Sequence, residues 1–533
     1  MRKITGKMAV LTGIALVLLW TACAKKEETP ARGAETAVNE SVVYYAMGTA
    51  WDSLNPYDSP SASLYAQAIW DKIYDRLAYI SAGGTVLKPR NAESWESADS
   101  GRAVIFHLNR NAKWHDGTPV TAKDWVFTVN LITQPDAILA GGGFFSFLEG
   151  TNDGGKAVSP GSAGIEAVDD YTLKLKFKSI LTPESFLILY NRNFYVLPEH
   201  LLKDIAPSAV KTAEFWKHPV GSGPTIFESE LVGSQIVFKA NRNYHLGNPG
   251  FGTLIINVVA GSNILASFIA GDLDAFFGNN VSVDERIIVE QAGFQVVSSQ
   301  NQSGFTETIL NNKTIGDPNI RLALHYALDK AVLSELATRG LGVVSYSYIL
   351  PSSEYYNNSL KFERNIAKAK ELLAAGKYDG RKYVMAVGQS RAELVAVMQQ
   401  QWAEAGINVE ILIVDVATMF TGLADGKYDI GLSGHSGSAE PLWFAHNFSY
   451  ARRNDFSITD PGYDEWKDRI NNELDSAKRK QLILDYQKFV FDNAPFIPLF
   501  HSGSLFVISK TVENIDYDGS GFSNENVWEW VKR

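Results

Sequence analysis

The side chains best suited to chemistry in this 533-residue chain sit in one stretch. Tyr428-Asp429 leads through Ser433 into His435-Ser436-Gly437-Ser438-Ala439-Glu440-Pro441-Leu442-Trp443-Phe444. His435, Ser436, Ser438 and Glu440 offer imidazole, hydroxyl and carboxylate groups. Trp443 and Phe444 add flat apolar rings. Such a set suits capture of a polar small molecule, because a ring gives a platform and a few fixed polar groups set orientation. Trp51 is a second candidate stacking residue. Signatures of catalysis are missing: the chain has no G-x-S-x-G elbow and no H-E-x-x-H pair. Gly150 to Ala157 approaches a phosphate-binding loop, but Ala157 stands where a Ser or Thr must reach a metal, and Ser159-Pro160-Gly161 follows instead of a helix. It reads as a surface loop. The nine His are scattered, so no metal centre and no cofactor are expected. Paired carboxylates need only meet in space, which keeps a secreted hydrolase as an alternative.

Alternating strand-like and helix-like segments must position these groups. Val42–Met47, Ala103–Asn109 and Tyr171–Lys178 read as strands. Ser63–Leu77 reads as a helix. Thr121 and Asp124 form a capping box for another, with Trp125, Val126 and Val129 on its apolar side. Asp317-Pro318 starts a helix whose apolar positions run Ile320, Ala323, Leu324, Ala327, Leu328 and Ala331. From 382 onward the pattern is strand (Lys382–Val387), helix and strand (Val409–Val414). Ser390 and Glu393 cap that helix and Gly406 ends it. This predicts a parallel pair with a right-handed crossover. Tyr428–Leu432 is a further strand. The fold class is α/β in several lobes.

Composition sets the compartment. The formal charge is -10, which disfavours nucleic acid. At 533 residues the chain exceeds one hydrophobic core. Arg2, Lys3 and Lys7 precede an apolar run from Met8 to Ala22 that fits a signal segment better than a membrane span. The single cysteine, Cys23, follows it in Leu19-Trp20-Thr21-Ala22-Cys23, which resembles a bacterial lipobox. Residues 1–22 are read as a signal peptide. Residues 23–40 are read as a lipidated Cys23 and a flexible tether, poor in apolar residues.

Ala112-Lys-Trp-His-Asp-Gly-Thr-Pro-Val-Thr-Ala-Lys-Asp-Trp-Val-Phe127 resembles a signature of the family 5 extracellular solute-binding proteins. Ser53-Leu-Asn-Pro56, Pro219-Val-Gly-Ser-Gly-Pro224, Gly271-Asp-Leu-Asp274, Asp317–Lys330 and Ala367–Gly376 resemble further family segments, in the family's order. The resemblance implies a periplasmic-binding-protein-like, two-lobed fold with an extra domain and a ligand cleft between lobes. It gives a map of domain I at 41–78, 219–304 and 496–533, domain II at 79–218 and domain III at 305–495. It implies a non-enzymatic, monomeric receptor, periplasmic or at the cell surface, that closes on a solute and delivers it to ABC-importer permease subunits. The default solute is a short peptide, and a short oligosaccharide is the alternative. A sensory receptor is a lesser one. Aligned on Glu440-Pro441, Gly437 falls where peptide-binding members carry an Asp for the peptide amino group.

Overall fold

Strand β1 (Val42–Met47) opens the fold with Val43, Tyr45 and Met47 covered and Tyr44 exposed. The computed structural model describes residues 39–58, 63–80, 87–137, 139–276, 281–298, 304–351, 353–436, 458, 460–503, 505–515 and 526–533. Helix α1 (Leu64–Ile73) follows. A meander comes next, β2 (Ala92–Ala98), β3 (Ala103–Leu108), β4 (Ile165–Asp169) and β5 (Thr172–Lys176). It pairs in the order β2-β3-β5-β4. Helices α2 (Ala122–Thr133) and α3 (Pro183–Leu189) belong to this part of the chain. Strands β6 (Thr225–Leu231), β7 (Gln235–Ala240), β8 (Thr253–Val258) and β9 (Ala275–Phe276) then join β1 in a sheet ordered β9-β1-β8-β7-β6. One continuous core spans both sheets, with Val43, Phe106, Trp125, Leu173, Phe238 and Leu254 among its members. Together these elements form lobe 1.

Lobe 2 is one uninterrupted stretch. It runs from β11 (Gly304–Leu310) to β16 (Phe496–Ser502), after β10 (Gln295–Ser298) and before β17 (Leu505–Ile508). Its sheet also holds β12 (Val343–Val344), β13 (Lys382–Val387), β14 (Asn408–Ile413) and β15 (Ile430–Ser436), in the order β12-β16-β11-β15-β13-β14. Neighbouring residues point to opposite faces of a strand. Leu310 and Met385 therefore join one core cluster while Ile309 and Ala386 join another. Helices α4 (Pro318–Tyr326), α5 (Lys330–Thr338), α6 (Ala392–Glu404) and α7 (Ser476–Asn493) supply the covering layers.

The same two chain segments pair on both sides of the lobe boundary. β10 runs antiparallel to β17, from Gln295 opposite Ile508 to Ser298 opposite Leu505. β11 runs antiparallel to β16, starting with Gly304 opposite Ser502. The crossing is thus a two-stranded ribbon, a geometry in which a few residues can absorb a rotation.

Two of the sequence motifs meet in lobe 1. His115 donates its backbone N–H to Gly221 O at 2.8 Å, and its Nδ1 accepts the Gly221 N–H at 3.2 Å. The other ring nitrogen, 3.1 Å from Gly223 O, must carry the proton. A Cβ on Gly221 would fall 1.8 Å from Ile73 O, so only glycine fits. Burial pushes the His115 pKa from 6.5 down to about 4, against the opposing pull of Gly223 O, Asp75 and Asp116. The folded protein therefore prefers the neutral ring. That stabilisation is complete above the unfolded value near 6.5 and fades as pH falls from there through 4. It is worth at most ~3 kcal/mol. Urea midpoints at pH 7 and pH 4.5 should differ more for the wild type than for His115→Gln; equal differences would exclude the ring as the titrating group.

Three local expectations are corrected. Ser63–Leu77 is helical only from Leu64 to Ile73, with Ser63 as cap. Residues 74–77 are drawn out because Arg90 binds the Asp71 and Tyr74 carbonyls and Leu77 O accepts the N–H groups of Arg90 and Ala92. The periodic run Ile320–Ala331 is split into α4 and α5. Asp329 caps α5 through the Val332 N–H, and its own N–H donates to Gln401 Oε1 at 2.7 Å. Ser390 does not cap α6: Gln389–Arg391 form a 3-10 turn, and the cap position is Arg391, with no side-chain bond to the backbone there. The capping box of Thr121 and Asp124, the strand Lys382–Val387 and its parallel pairing with β14 are as expected.

Candidate ligand site between the lobes

In α/β sheets the space beyond the carboxyl ends of parallel strands is where ligands bind, because the chain turns there leave a crevice. β13 is parallel to both β14 and β15. Their carboxyl ends are Val387, Ile413 and Ser436. The turn after β13 delivers Arg391 to this edge. A methyl built on Gly434 of β15 would lie 3.6 Å from an Arg391 guanidinium nitrogen and 3.5 Å from Phe305 O. Arg391 is half-buried. Among the described residues it makes no ion pair and no side-chain hydrogen bond. A partly desolvated guanidinium is a ready receiver for an anion.

Strand register places the sequence-nominated loop. His435 lies opposite Phe305, and Ser436 opposite Gly304, which in turn faces Ser502. β15 therefore leaves its sheet at the hinge end, beside the ribbon that joins the lobes. Ser438, Glu440, Trp443 and Phe444 follow and lie outside the described residues, as does Cys23. His435 and Ser436 are placed by their backbone alone. Trp51 stands four residues beyond β1, in lobe 1. It is 8% exposed, and its indole N–H donates to Glu230 Oε2 at 3.1 Å. Behind the edge, β11 carries Glu307, fully buried, which accepts the Tyr348 hydroxyl. The Tyr348 ring packs at a tilt against Phe305 and Phe496, at 4.3 and 4.4 Å between ring centroids.

Sequence reasoning missed Arg391. The pattern there reads as a helix capped by Ser390 and Glu393, and a basic residue four positions after a parallel strand is the available signal. The remaining motifs position rather than bind. Asp274 accepts Thr511 Oγ1 at 2.7 Å and the Tyr44 N–H at 2.9 Å. Buried Arg321 reaches the carbonyls of Ile315 and Asn493, each at 2.7 Å. Among the described residues no three His, Cys, Asp or Glu side chains converge as a metal centre requires.

Two lobes on a paired-strand hinge, with Arg391 at the carboxyl edge of the lobe-2 sheet, define a protein that holds a small solute between its lobes. The sequence profile of the bacterial extracellular solute-binding proteins, family 5, matches residues 86–456. The chain belongs to that family. It is 24% identical to heme-binding protein A of Haemophilus influenzae, covering 95% of this chain and 96% of that one. It is 25% identical to the dipeptide-binding protein of Escherichia coli, covering 90% and 93%. Among solved structures, the ABC transporter substrate-binding protein CtaP of Listeria monocytogenes superposes with a TM-score of 0.78 at 20% identity, over 93% of this chain and 99% of that one. The murein tripeptide-binding protein MppA in its unliganded open form gives 0.77 at 19%, over 92% and 97%. These relatives are binding proteins rather than enzymes. Among the described residues no helix is long and apolar enough to cross a membrane.

Proposed function

We propose that this protein is an extracytoplasmic receptor that captures a short peptide by hinge closure and hands it to the permease of an ABC importer. The observation that carries the peptide reading is Arg391, a guanidinium at the carboxyl edge of the lobe-2 sheet with no ion pair among the described residues. A terminal carboxylate is the group that a fork of N–H donors matches best. Relatives named as dipeptide-binding and di/tripeptide-binding proteins support the same solute class. A neutral oligosaccharide would need no such cation. It would lean on Trp443 and the hydroxyls of Ser436 and Ser438 instead. Trp51, His435, Glu440 and Phe444 complete the set assigned to the cleft. The three-domain division read from the sequence belongs to this proposal.

Thermal-shift screening of the purified protein against di- and tripeptides and against short oligosaccharides tests it. A peptide at a hundred times its dissociation constant should stabilise the fold by about 2.7 kcal/mol, and mass spectrometry should recover it unaltered. A response to sugars alone would replace the peptide by an oligosaccharide. Steady cleavage of any bound compound would make the protein a hydrolase.

Retention at the membrane is assigned to an acylated Cys23. Two hydrocarbon chains anchor stably where one does so only marginally. Cys23→Ser should move the protein from the membrane pellet to the soluble fraction on cell fractionation. Undiminished pelleting of that variant would contradict the lipid anchor.

A further inference from the structure

The lobes also touch far from the hinge strands in sequence. The turn between β2 and β3 holds Asp99, Ser100 and Gly101 at φ of 49°, 54° and 83°. A Cβ on Gly101 would fall 2.6 Å from Leu474 Cδ2 of lobe 2 and 3.0 Å from Ile180 of lobe 1. Leu474 therefore seats directly on glycine backbone. Next along lobe 1, Leu181 packs against the lobe-1 core and also against the lobe-2 cluster that contains Phe305, Ile309 and Tyr486. Leu189, at the end of α3, packs against that lobe-2 cluster as well. Between them, Ser185 is fully buried. Its hydroxyl accepts Thr182 Oγ1 at 2.9 Å and, across the lobes, Arg479 Nη2 at 3.2 Å. Arg479 lies in the first turn of α7 and is only 9% exposed.

We infer that Leu474 and Arg479, seated on Gly101, Leu181, Ser185 and Leu189, form a clasp that holds the lobes together before any ligand arrives. None of these contacts uses a ligand atom. Opening would wet the three leucines and uncover Ser185, and removing apolar surface from water is the dominant force favouring the closed arrangement. A ligand shifts a two-state equilibrium only by its difference in affinity for the two states, and apparent affinity falls with the fraction of the binding-competent form. A clasp that fills the closed state in advance thus tightens binding of every solute that fits, including those with few contacts of their own. The inference needs only the two-lobed fold, so it stands apart from the choice of peptide or sugar.

Small-angle X-ray scattering of the ligand-free protein tests it. The wild type should scatter as the compact, closed particle. Leu474→Asp should give a larger radius of gyration, and Leu474→Ala an intermediate one. Leu474 is 48% exposed, so both variants should keep the wild-type far-UV circular dichroism. If the aspartate variant does not fold, the alanine variant decides alone. Wild-type scattering from a natively folded variant, or an expanded wild type without ligand, would overturn the clasp.

Discussion

Arg391→Ala should weaken binding of a free-acid di- or tripeptide by on the order of a hundredfold, about 3 kcal/mol. Arg391→Glu should abolish it. The reason is local. The guanidinium lies at the carboxyl ends of parallel strands, against the backbone at Gly434, and no described carboxylate neutralises it. A ligand carboxylate would form an ion pair with it, in a place where closure excludes water and strengthens the charge interaction. Removing one member of such a pair leaves the other charge unmatched in the closed cleft. The control is chemical. A C-terminally amidated peptide should bind the wild type about as weakly as the free acid binds Arg391→Ala, and amidation should cost the variant little further. Isothermal titration of the four combinations gives the coupling directly. Additive losses would mean that Arg391 does not meet the carboxylate. Any sugar ligand should be nearly indifferent to the alanine change.

The second large effect concerns stability. Arg90 and Asp75 form an ion pair at 2.8 Å with both side chains fully covered. Arg90 Nη2 also donates to Asp71 O at 2.9 Å and Tyr74 O at 3.0 Å. The Tyr244 hydroxyl donates to Asp75 Oδ1 at 2.9 Å, and the guanidinium sits 5.6 Å from the Trp528 ring. This network ties the end of α1 to Arg90, Tyr244 and Trp528. Arg90→Met would strand the Asp75 carboxylate in the core and should lower unfolding free energy by about 3–5 kcal/mol. The paired change Arg90→Met with Asp75→Leu should recover much of that loss, because two apolar groups carry no desolvation penalty. Denaturant titration at neutral pH reads both. A double variant no better than the single would place the cost in lost packing instead of the stranded charge.

Much of the scaffold was legible in the sequence because its signals are local. Thr121 and Asp124 satisfy each other's end of one helix within four residues. Lys382–Val387 and the strand after it carry their own apolar pattern, and a helix between two strands forces a parallel pairing. The family motifs were legible as chain order. Their use was not: His115 becomes a rivet only when Gly221 and Gly223 arrive from a hundred residues away.

The sequence by itself determined an α/β chain of the family 5 solute-binding class, along with the strands, caps and turns whose causes lie within a few residues. Tertiary structure alone decided how the periodic run Ile320–Ala331 divides, since Gln401 holds the Asp329 N–H from another helix. It alone turned Arg391 from a helix-start residue into a cation at the mouth of a sheet, without an ion pair among the described residues. It alone brought Leu474 onto Gly101. In each case the deciding partner lies tens to hundreds of residues away. Charge pairing, burial and lobe contact depend on which groups meet in space, and local propensity carries no record of that.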